Sequence, residues 1–225
     1  MTAADSDVPA WARRGAQESR LAALGAVLAV LVLQWTLPAE LAAEPAWLVP
    51  LVTLVLLFGQ LVGRPTELDR RAYWLRAGSL IATGVLHLAV AWSVYQLVAG
   101  LVDGEFSDRA TVLLASGGAI WTSNVLVFAL WFWEFDRGGP AARARADTLV
   151  PDFIFPQMQN PDLADPEWSP QFVDYFYLAF TNATAFSPTD VMPMSRWAKL
   201  LMTAETAISL LTGVLVIARA VNVLK

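Results

Sequence analysis

The chain of 225 residues contains no cysteine and only one histidine. The missing cysteines exclude disulfides, thiolate zinc sites and cysteine nucleophiles, and one histidine excludes a metal or haem site with several histidine ligands in one chain. Charged residues are also scarce, at 16% against about 25% in an ordinary soluble domain. These absences argue against a soluble enzyme, a disordered protein and a protein that binds nucleic acid.

Apolar residues are abundant instead. They make up 56% of the chain, the mean hydropathy is +0.50, and there are ten tryptophans, a residue type enriched at membrane interfaces. Several stretches approach the ~20 apolar residues that a spanning helix needs. We predict an all-α integral membrane protein in the lipid bilayer, with about five transmembrane helices over Leu21–Leu37, Ala46–Val62, Ser79–Val102, Ala110–Trp133 and Trp197–Leu224.

Arginines predict the orientation, because cytoplasmic loops are enriched in Lys and Arg. They are concentrated in the N-terminal tail (1–20), in the loop before the third span and in the segment after the fourth. The two remaining short loops are mainly acidic. This alternation predicts a cytoplasmic N-terminus, in what we expect to be a plasma membrane of the bacterial type.

The loop over residues 134–170 separates the last two spans. Its five prolines between Pro151 and Pro170 prevent a long helix. Its acidic side chains Asp162, Asp165 and Glu167 could bind a divalent cation, but we favour an ordinary solvated loop, without a metal. Three aromatic residues are expected to anchor the loop at the membrane interface or on a neighbouring subunit: Phe153, Phe155 and Trp168.

The next segment, residues 171–186, is apolar and aromatic but too short to span a bilayer. Twelve helical residues reach about 18 Å, half of the hydrocarbon core. The polar residues that follow include two prolines, and a full helix begins near Ser195. Non-helical backbone at membrane depth is tolerated only where protein buries it or water reaches it. The sequence therefore predicts a re-entrant pore helix and hairpin, which lines a pathway when several copies surround an axis.

Residues Asp174–Asn222 resemble the pore module of tetrameric potassium-channel-like proteins, which consists of a pore helix, a filter and an inner helix. The features that match in order and spacing are Tyr175-Phe176-Tyr177, Phe180-Thr181, Thr184, Asp190, Pro193, Arg196, Glu205 and Ala218-Arg219. The resemblance implies a homotetrameric pore-loop channel for inorganic ions. Residues 21–109 would form three peripheral helices, and residues 110–225 a pore module made of the fourth helix, the loop 134–170, a pore helix over 171–186, a filter-like loop over 187–194 and a last helix over 195–225.

The filter itself departs from the family. Potassium channels have Thr-Val-Gly-Tyr-Gly-Asp there, whose carbonyls replace the hydration shell of the ion. Both glycines are missing from this chain, and Pro188 has a fixed φ near −65°. We therefore expect a wider, cation-conducting constriction that is not strictly selective for potassium. The filter and pore-lining candidates are Thr184, Ala185, Phe186, Ser187, Pro188, Thr189 and Asp190.

Three further residues, Thr181, Arg196 and Glu205, are expected to support the pore module. The resemblance implies that Glu205 packs behind the filter and bonds to the pore-helix region. Arg196 and Lys199 could repel cations at a mouth, which keeps an anion pore open as an alternative.

The hairpin also permits a non-conducting interpretation. Residues 187–190 have the composition of a helix N-terminus, so the hairpin could be sealed, in a scaffold or accessory subunit. The arginine count also makes the hairpin start from the cytoplasmic side, so that the pore would be inverted relative to potassium channels. We find no catalytic set and no cofactor motif, and we expect no enzymatic activity.

Overall fold

The computed structural model describes residues 8–15, 18–45, 47, 49–54, 70–104, 110–184 and 190–223. The protein is mostly helical, and three helical segments are long and apolar enough to cross a membrane: Arg76–Asp103, Thr111–Arg145 and Arg196–Arg219. The prediction of a mostly helical protein with helices long and apolar enough to cross a membrane is thereby confirmed. The first predicted span forms a shorter apolar helix. The second predicted span lies mostly outside the described residues, as do the filter candidates 185–189.

In the described part of the chain, seven α-helices have defined bounds, residues 49–54 are also helical, and two two-residue strands form one pair. The helices are α1 (Leu21–Trp35), α2 (Arg70–Asp103), α3 (Ala110–Phe135), α4 (Pro140–Arg145), α5 (Pro156–Gln159), α6 (Phe172–Thr184) and α7 (Arg196–Val223). Strands β1 (Phe153–Ile154) and β2 (Met192–Pro193) pair antiparallel, with Phe153 opposite Pro193.

Helix α3 is the centre of the bundle, because it contacts α1, α2, α6 and α7. Its apolar residues surround the whole helix, as expected of a helix that has neighbours on every side. Leu113, Ile120, Phe128 and Phe132 are almost completely buried. Helix α7 instead keeps large apolar side chains exposed along its length, as a helix facing lipid or another subunit does.

Five helix ends meet at one end of the bundle, which we call the basal end. These are the starts of α1, α2, α6 and α7 and the end of α3. Hydrogen bonds define this end. Ser79 donates to Glu134, and Trp197 donates to Asp152. Glu18 accepts from both the Trp133 indole and the Phe172 N–H. From each of the three arginine-bearing segments counted for orientation, one described arginine lies near Glu134 at this end: Arg20, Arg76 and Arg143.

The loop 134–170 folds against the helices of its own chain. Phe153 is fully buried and contacts the rings of Phe132 and Trp197, while Phe155 packs edge-on against Tyr175. For Phe153 and Phe155, the expectation that the aromatic residues anchor the loop at the membrane interface or on another subunit is therefore wrong. Trp168 is half-buried against Phe155, and for it the expectation stays a prediction. The β1–β2 pair links the loop to the segment before α7. Phe153 and Phe155 of the loop belong to the protein core.

Candidate functional site: the hairpin of α6 and α7

Helix α6 is amphipathic, and its ends are defined by side chains. Asp174, in its first turn, accepts the N–H of Gln171 at 2.8 Å, which is one half of a capping box. Near the other end, the Thr184 hydroxyl donates to the carbonyl of Thr181 at 2.9 Å. The helix buries one face against α3 and α7 and exposes the other. Buried are Phe172, Tyr175, Leu178, Ala179 and Ala183.

Helices α6 and α7 start at the same end and lie side by side. Asn182 donates to the carbonyl of Met202 at 2.9 Å and to Glu205 Oε2 at 2.7 Å, and the Thr206 hydroxyl donates to the Asn182 carbonyl at 3.2 Å. Asn182 and Glu205 each lie roughly two and a half to three turns from the start of their helix. The chain after Thr184 must therefore return to the basal end, where Met192 pairs with β1.

Glu205 is completely buried. Its Oε2 accepts from Asn182, and its Oε1 has no hydrogen-bond partner within the described residues. The contact with α6 is the one that the resemblance implied for this glutamate. An ionisable side chain within a membrane span is by default a hypothesis of function.

Further polar side chains surround this glutamate in an otherwise apolar bundle. Asn124 of α3 donates to the Ser209 hydroxyl of α7 at 3.1 Å. The buried hydroxyls of Ser123 and Thr212 have no partner in the part of the chain that the structure describes. Most buried polar groups in proteins are paired, so these unpaired hydroxyls make the region a candidate site.

A cleft of about 370 Å³ opens beside the tip of α6, between α3 and α7. Its walls are mainly apolar, with the hydroxyls of Thr184, Ser209 and Thr212 among them. Gly117 of α3 allows a close helix contact here, because a Cβ at this position would lie 2.7 Å from a methyl carbon of Val216.

The sequence-predicted residues fall into three groups. Thr181, Thr184 and Glu205 lie together at the tip of α6. Asp190 is exposed, two residues before β2, and Arg196 is exposed at the start of α7, so neither is near Glu205. The candidates Ala185, Phe186, Ser187, Pro188 and Thr189 lie outside the described residues.

Sequence reasoning missed Asn182, which is the α6 partner of Glu205. The signal was present, because an amide side chain in a short apolar helix needs a partner when it is buried. The partner itself could not be identified, because the two residues are joined by a contact between different helices.

The base of α6 is held by the N-terminal tail. The Glu18 carboxylate accepts the Phe172 N–H at 2.5 Å and the Trp133 indole N–H at 2.7 Å. It thus satisfies one of the backbone N–H groups that a helix start leaves free. The Tyr175 hydroxyl donates to Asp136 Oδ2 at 2.6 Å. Burial raises the pKa of Tyr175 well above its ordinary value, so the phenol keeps the proton that it donates.

Asp152 joins the loop 134–170 to the end of α3 and to the start of α7. Its carboxylate accepts the Arg137 N–H and the Trp197 indole N–H, both at 2.9 Å, and its own N–H donates to Asp136 Oδ1 at 3.0 Å. Its carbonyl accepts the Met194 N–H at 2.7 Å. The end of α3, the loop and the start of α7 are therefore fixed to one another.

Arg137 has a left-handed backbone, with a φ of 52°. This conformation costs an ordinary residue roughly 1–2 kcal/mol, and here the Asp152 carboxylate stabilises it through the Arg137 N–H. The Arg137 side chain is 1% exposed. The guanidinium lies over the Trp11 ring, 5.4 Å from its centre.

Among the described residues, no three His, Asp or Glu side chains are grouped as a metal site requires. Asp162, Asp165 and Glu167 are described and do not form such a group, so the structure lends no support to the divalent-cation interpretation. Comparison with protein-family models, with curated proteins and with solved structures found no match for this chain.

Proposed function

We propose that this chain is a pore-loop ion channel, in which several copies, four by the resemblance, surround a pathway lined by the α6–α7 hairpin. The observation that carries the proposal is the parallel arrangement of α6 and α7 from one end, joined at the tip of α6 by Asn182 and Glu205. The segment from α6 to α7 is a half-length helix followed by a return to its own side. It is the usual way to bring backbone and polar side chains to membrane depth.

Cations are the favoured ions. Helix α6 ends at its tip with the negative end of its dipole, and the buried Glu205 lies beside that tip. Asp190 is exposed on the return segment, where a ring of four such side chains would attract cations. The missing filter glycines argue for a pore that does not select strictly for potassium.

The proposed pore is inverted relative to potassium channels. The hairpin starts and returns at the basal end, which also holds the N-terminal tail and the start of α2. By the arginine rule this end is cytoplasmic. Arg137 and Arg143 do not contribute to this arginine rule as free charges, because both are buried in contacts with their own chain.

The second candidate is a non-conducting scaffold or accessory subunit. It is favoured by the dense contacts at the basal end, where Asp152 fixes the start of α7 and Glu18 covers the start of α6. A hairpin held in this way could close a path instead of opening one.

Ion flux decides between these candidates. The purified full chain is reconstituted in liposomes, its oligomeric state is measured, and flux is followed under separate potassium, sodium and chloride gradients. We expect potassium and sodium flux above that of empty liposomes, reduced several-fold by Asp190→Asn. The matched control is Asp147→Asn, which removes an exposed basal carboxylate paired with Arg145 outside the hairpin, and should leave flux unchanged.

Each remaining outcome has its own meaning. No flux of any ion from a confirmed oligomer would overturn the channel proposal in favour of the scaffold. Chloride flux alone would identify an anion pore. Glu205→Gln separates the roles of that glutamate: altered flux from an intact oligomer supports a role in conduction, while loss of assembly supports a role in holding α6 against α7.

A further inference from the structure

A small cavity of about 70 Å³ lies at the basal end, between the N-terminal tail and the junction of α3 with α4. Three arginines line it, Arg13 from the tail and Arg137 and Arg143 from the junction. Glu18 is the single acidic residue among its described lining residues. The chemistry of the lining is thus that of a site for an anion.

Each of the two junction arginines has one buried side-chain nitrogen that makes no hydrogen bond in the part of the chain that the structure describes. Arg137 Nε donates to the Thr148 carbonyl at 2.7 Å and its Nη1 donates to the Trp11 carbonyl at 2.5 Å. Its Nη2 is buried and has no hydrogen-bond partner among the described residues. The side chain is 1% exposed, so bulk water does not solvate this nitrogen.

Arg143 repeats the pattern. Its Nη1 donates to the carbonyls of Trp133 at 2.7 Å and Asp136 at 3.0 Å. Its buried Nη2 makes no hydrogen bond within the described residues, and the nearest carboxylate oxygen, on Glu18, is 3.7 Å away. The side chain is 8% exposed. Two guanidinium groups, always charged, therefore have unused donors on one cavity.

Glu18 forms an ion pair with Arg143 at 3.7 Å but no hydrogen bond with its Nη2. Its two carboxylate oxygens accept the Phe172 N–H and the Trp133 indole N–H, so its hydrogen-bonding capacity is directed toward α3 and α6. A buried charged donor without a partner is costly, and an anion in the cavity would remove this cost for both arginines at once.

We propose that this cavity binds a phosphate group, held by Arg137 and Arg143, with the half-buried Arg13 at its rim. Arginine forks fit the oxygens of a tetrahedral oxyanion and bind them with paired, charge-assisted hydrogen bonds. The cavity volume equals that of roughly two waters in the liquid, which admits one phosphate group and no larger anion such as a nucleotide. The phosphate is either free in solution or the headgroup of a lipid at the basal membrane surface. The proposal does not depend on the pore.

Binding would add to the contacts that already join the tail to α3, α4 and α6. The phosphate would join the tail, through Arg13, to the residues that precede α6. We therefore expect it to raise the thermal stability of the full chain. The first measurement titrates inorganic phosphate into the purified protein in detergent, against chloride at equal ionic strength. A saturable rise in melting temperature with phosphate alone is the expected result.

Two arginine variants provide the specificity test. Arg13→Gln, at a partly exposed position where Arg13 also pairs with Glu167, should weaken the apparent Kd for phosphate by about tenfold, the effect of 1.4 kcal/mol. The matched control is Arg145→Gln on α4, which removes the same charge from an exposed side chain paired with Asp147 outside the cavity. Its Kd should equal that of the wild type. An equal loss in both variants would mean attraction by surface charge and would overturn the proposal.

A lipid arm identifies the source of the phosphate. The wild type is reconstituted in phosphatidylcholine vesicles with and without phosphatidic acid, whose headgroup is a phosphate monoester. Stabilisation by this lipid, but not by inorganic phosphate, assigns the site to a headgroup, and the reverse result assigns it to the free ion. If the wild type responds in neither arm, the proposal is wrong, whether or not any variant folds.

Discussion

The two ends of α6 differ in how their polar groups are satisfied. At its base, Glu18, Asp136 and Asp152 accept hydrogen bonds from α3, from the loop 134–170, from α6 and from the start of α7. At its tip, Glu205 and Thr212 each keep an oxygen that has no hydrogen-bond partner within the described residues, and Thr212 lines the cleft. Proteins pair buried polar groups wherever structure alone is at stake. The carboxylates at the base thus fix the hairpin, whereas the unpaired oxygens at the tip support our proposal that the tip handles an ion or water.

The largest effect is expected from breaking the base. Asp152→Ala leaves the Arg137 N–H and the Trp197 indole N–H without their acceptor. Each unpaired buried donor costs roughly 1–3 kcal/mol, so we expect a loss of about 2–4 kcal/mol in the free energy of unfolding. Thermal unfolding of the purified protein in detergent measures it.

The control for this variant is Asp147→Ala. Asp147 belongs to the same loop and forms an exposed ion pair with Arg145, which should contribute about 0–1 kcal/mol. Equal destabilisation by the two variants would contradict the assignment of Asp152 as the residue that fixes the base.

The helices were predictable because they depend on local composition. Three of the five predicted spans coincide with helices long and apolar enough to cross a membrane, since hydropathy over ~20 residues carries that information. The loop 134–170 was not predictable in the same way. Arg137 bonds to Trp11, more than one hundred residues away in sequence, and no local pattern indicates such a partner.

The candidate site shows the same division. The resemblance singled out Thr181, Thr184 and Glu205, and these residues do lie together. It could not supply Asn182 as the partner of Glu205, because the family pattern at that point concerns the neighbouring threonines. Arg137 and Arg143 were counted only as signals of orientation, because their burial is decided by the tail and the loop folding over them.

The close contact between α3 and α7 in the wall of the cleft, beside the tip of α6, can be tested by substitution. In Gly117→Ala the new Cβ would lie 2.7 Å from a Val216 methyl carbon, whereas a Cβ at Gly118 meets nothing within 4 Å. Both variants gain the same helix propensity, so their difference isolates the contact between α3 and α7. We expect Gly117→Ala to be less stable than Gly118→Ala by about 1–3 kcal/mol, the usual cost of overpacking.

Rescue makes this test specific. Val216→Ala removes the methyl groups that the new Cβ would meet, so adding it to Gly117→Ala should reduce the difference from Gly118→Ala. Thermal unfolding of the wild type, Gly117→Ala, Gly118→Ala and the double variant Gly117→Ala/Val216→Ala checks this. Equal stability of the two glycine variants would show that the helices separate at no cost, and the cleft would then have no fixed wall.

The smallest effect is expected at the start of α6, where pH tests a single carboxyl group. Burial raises the pKa of Asp174, and the hydrogen bond from Gln171 opposes this only in part. A raised folded-state pKa means that the ionised carboxylate destabilises the fold, and that this penalty disappears as the pH falls through the folded pKa toward the ordinary value of about 3.9.

Asp174→Asn, which can still accept the Gln171 N–H, should be more stable than the wild type at neutral pH by less than about 1 kcal/mol, the scale of one capping interaction. Thermal unfolding from pH 7 to pH 4 should show this advantage shrinking, while Asp162→Asn, in the exposed loop, shows no such trend. An advantage that grows on acidification would mean that the carboxylate stabilises α6, and that the base of the helix depends on its charge.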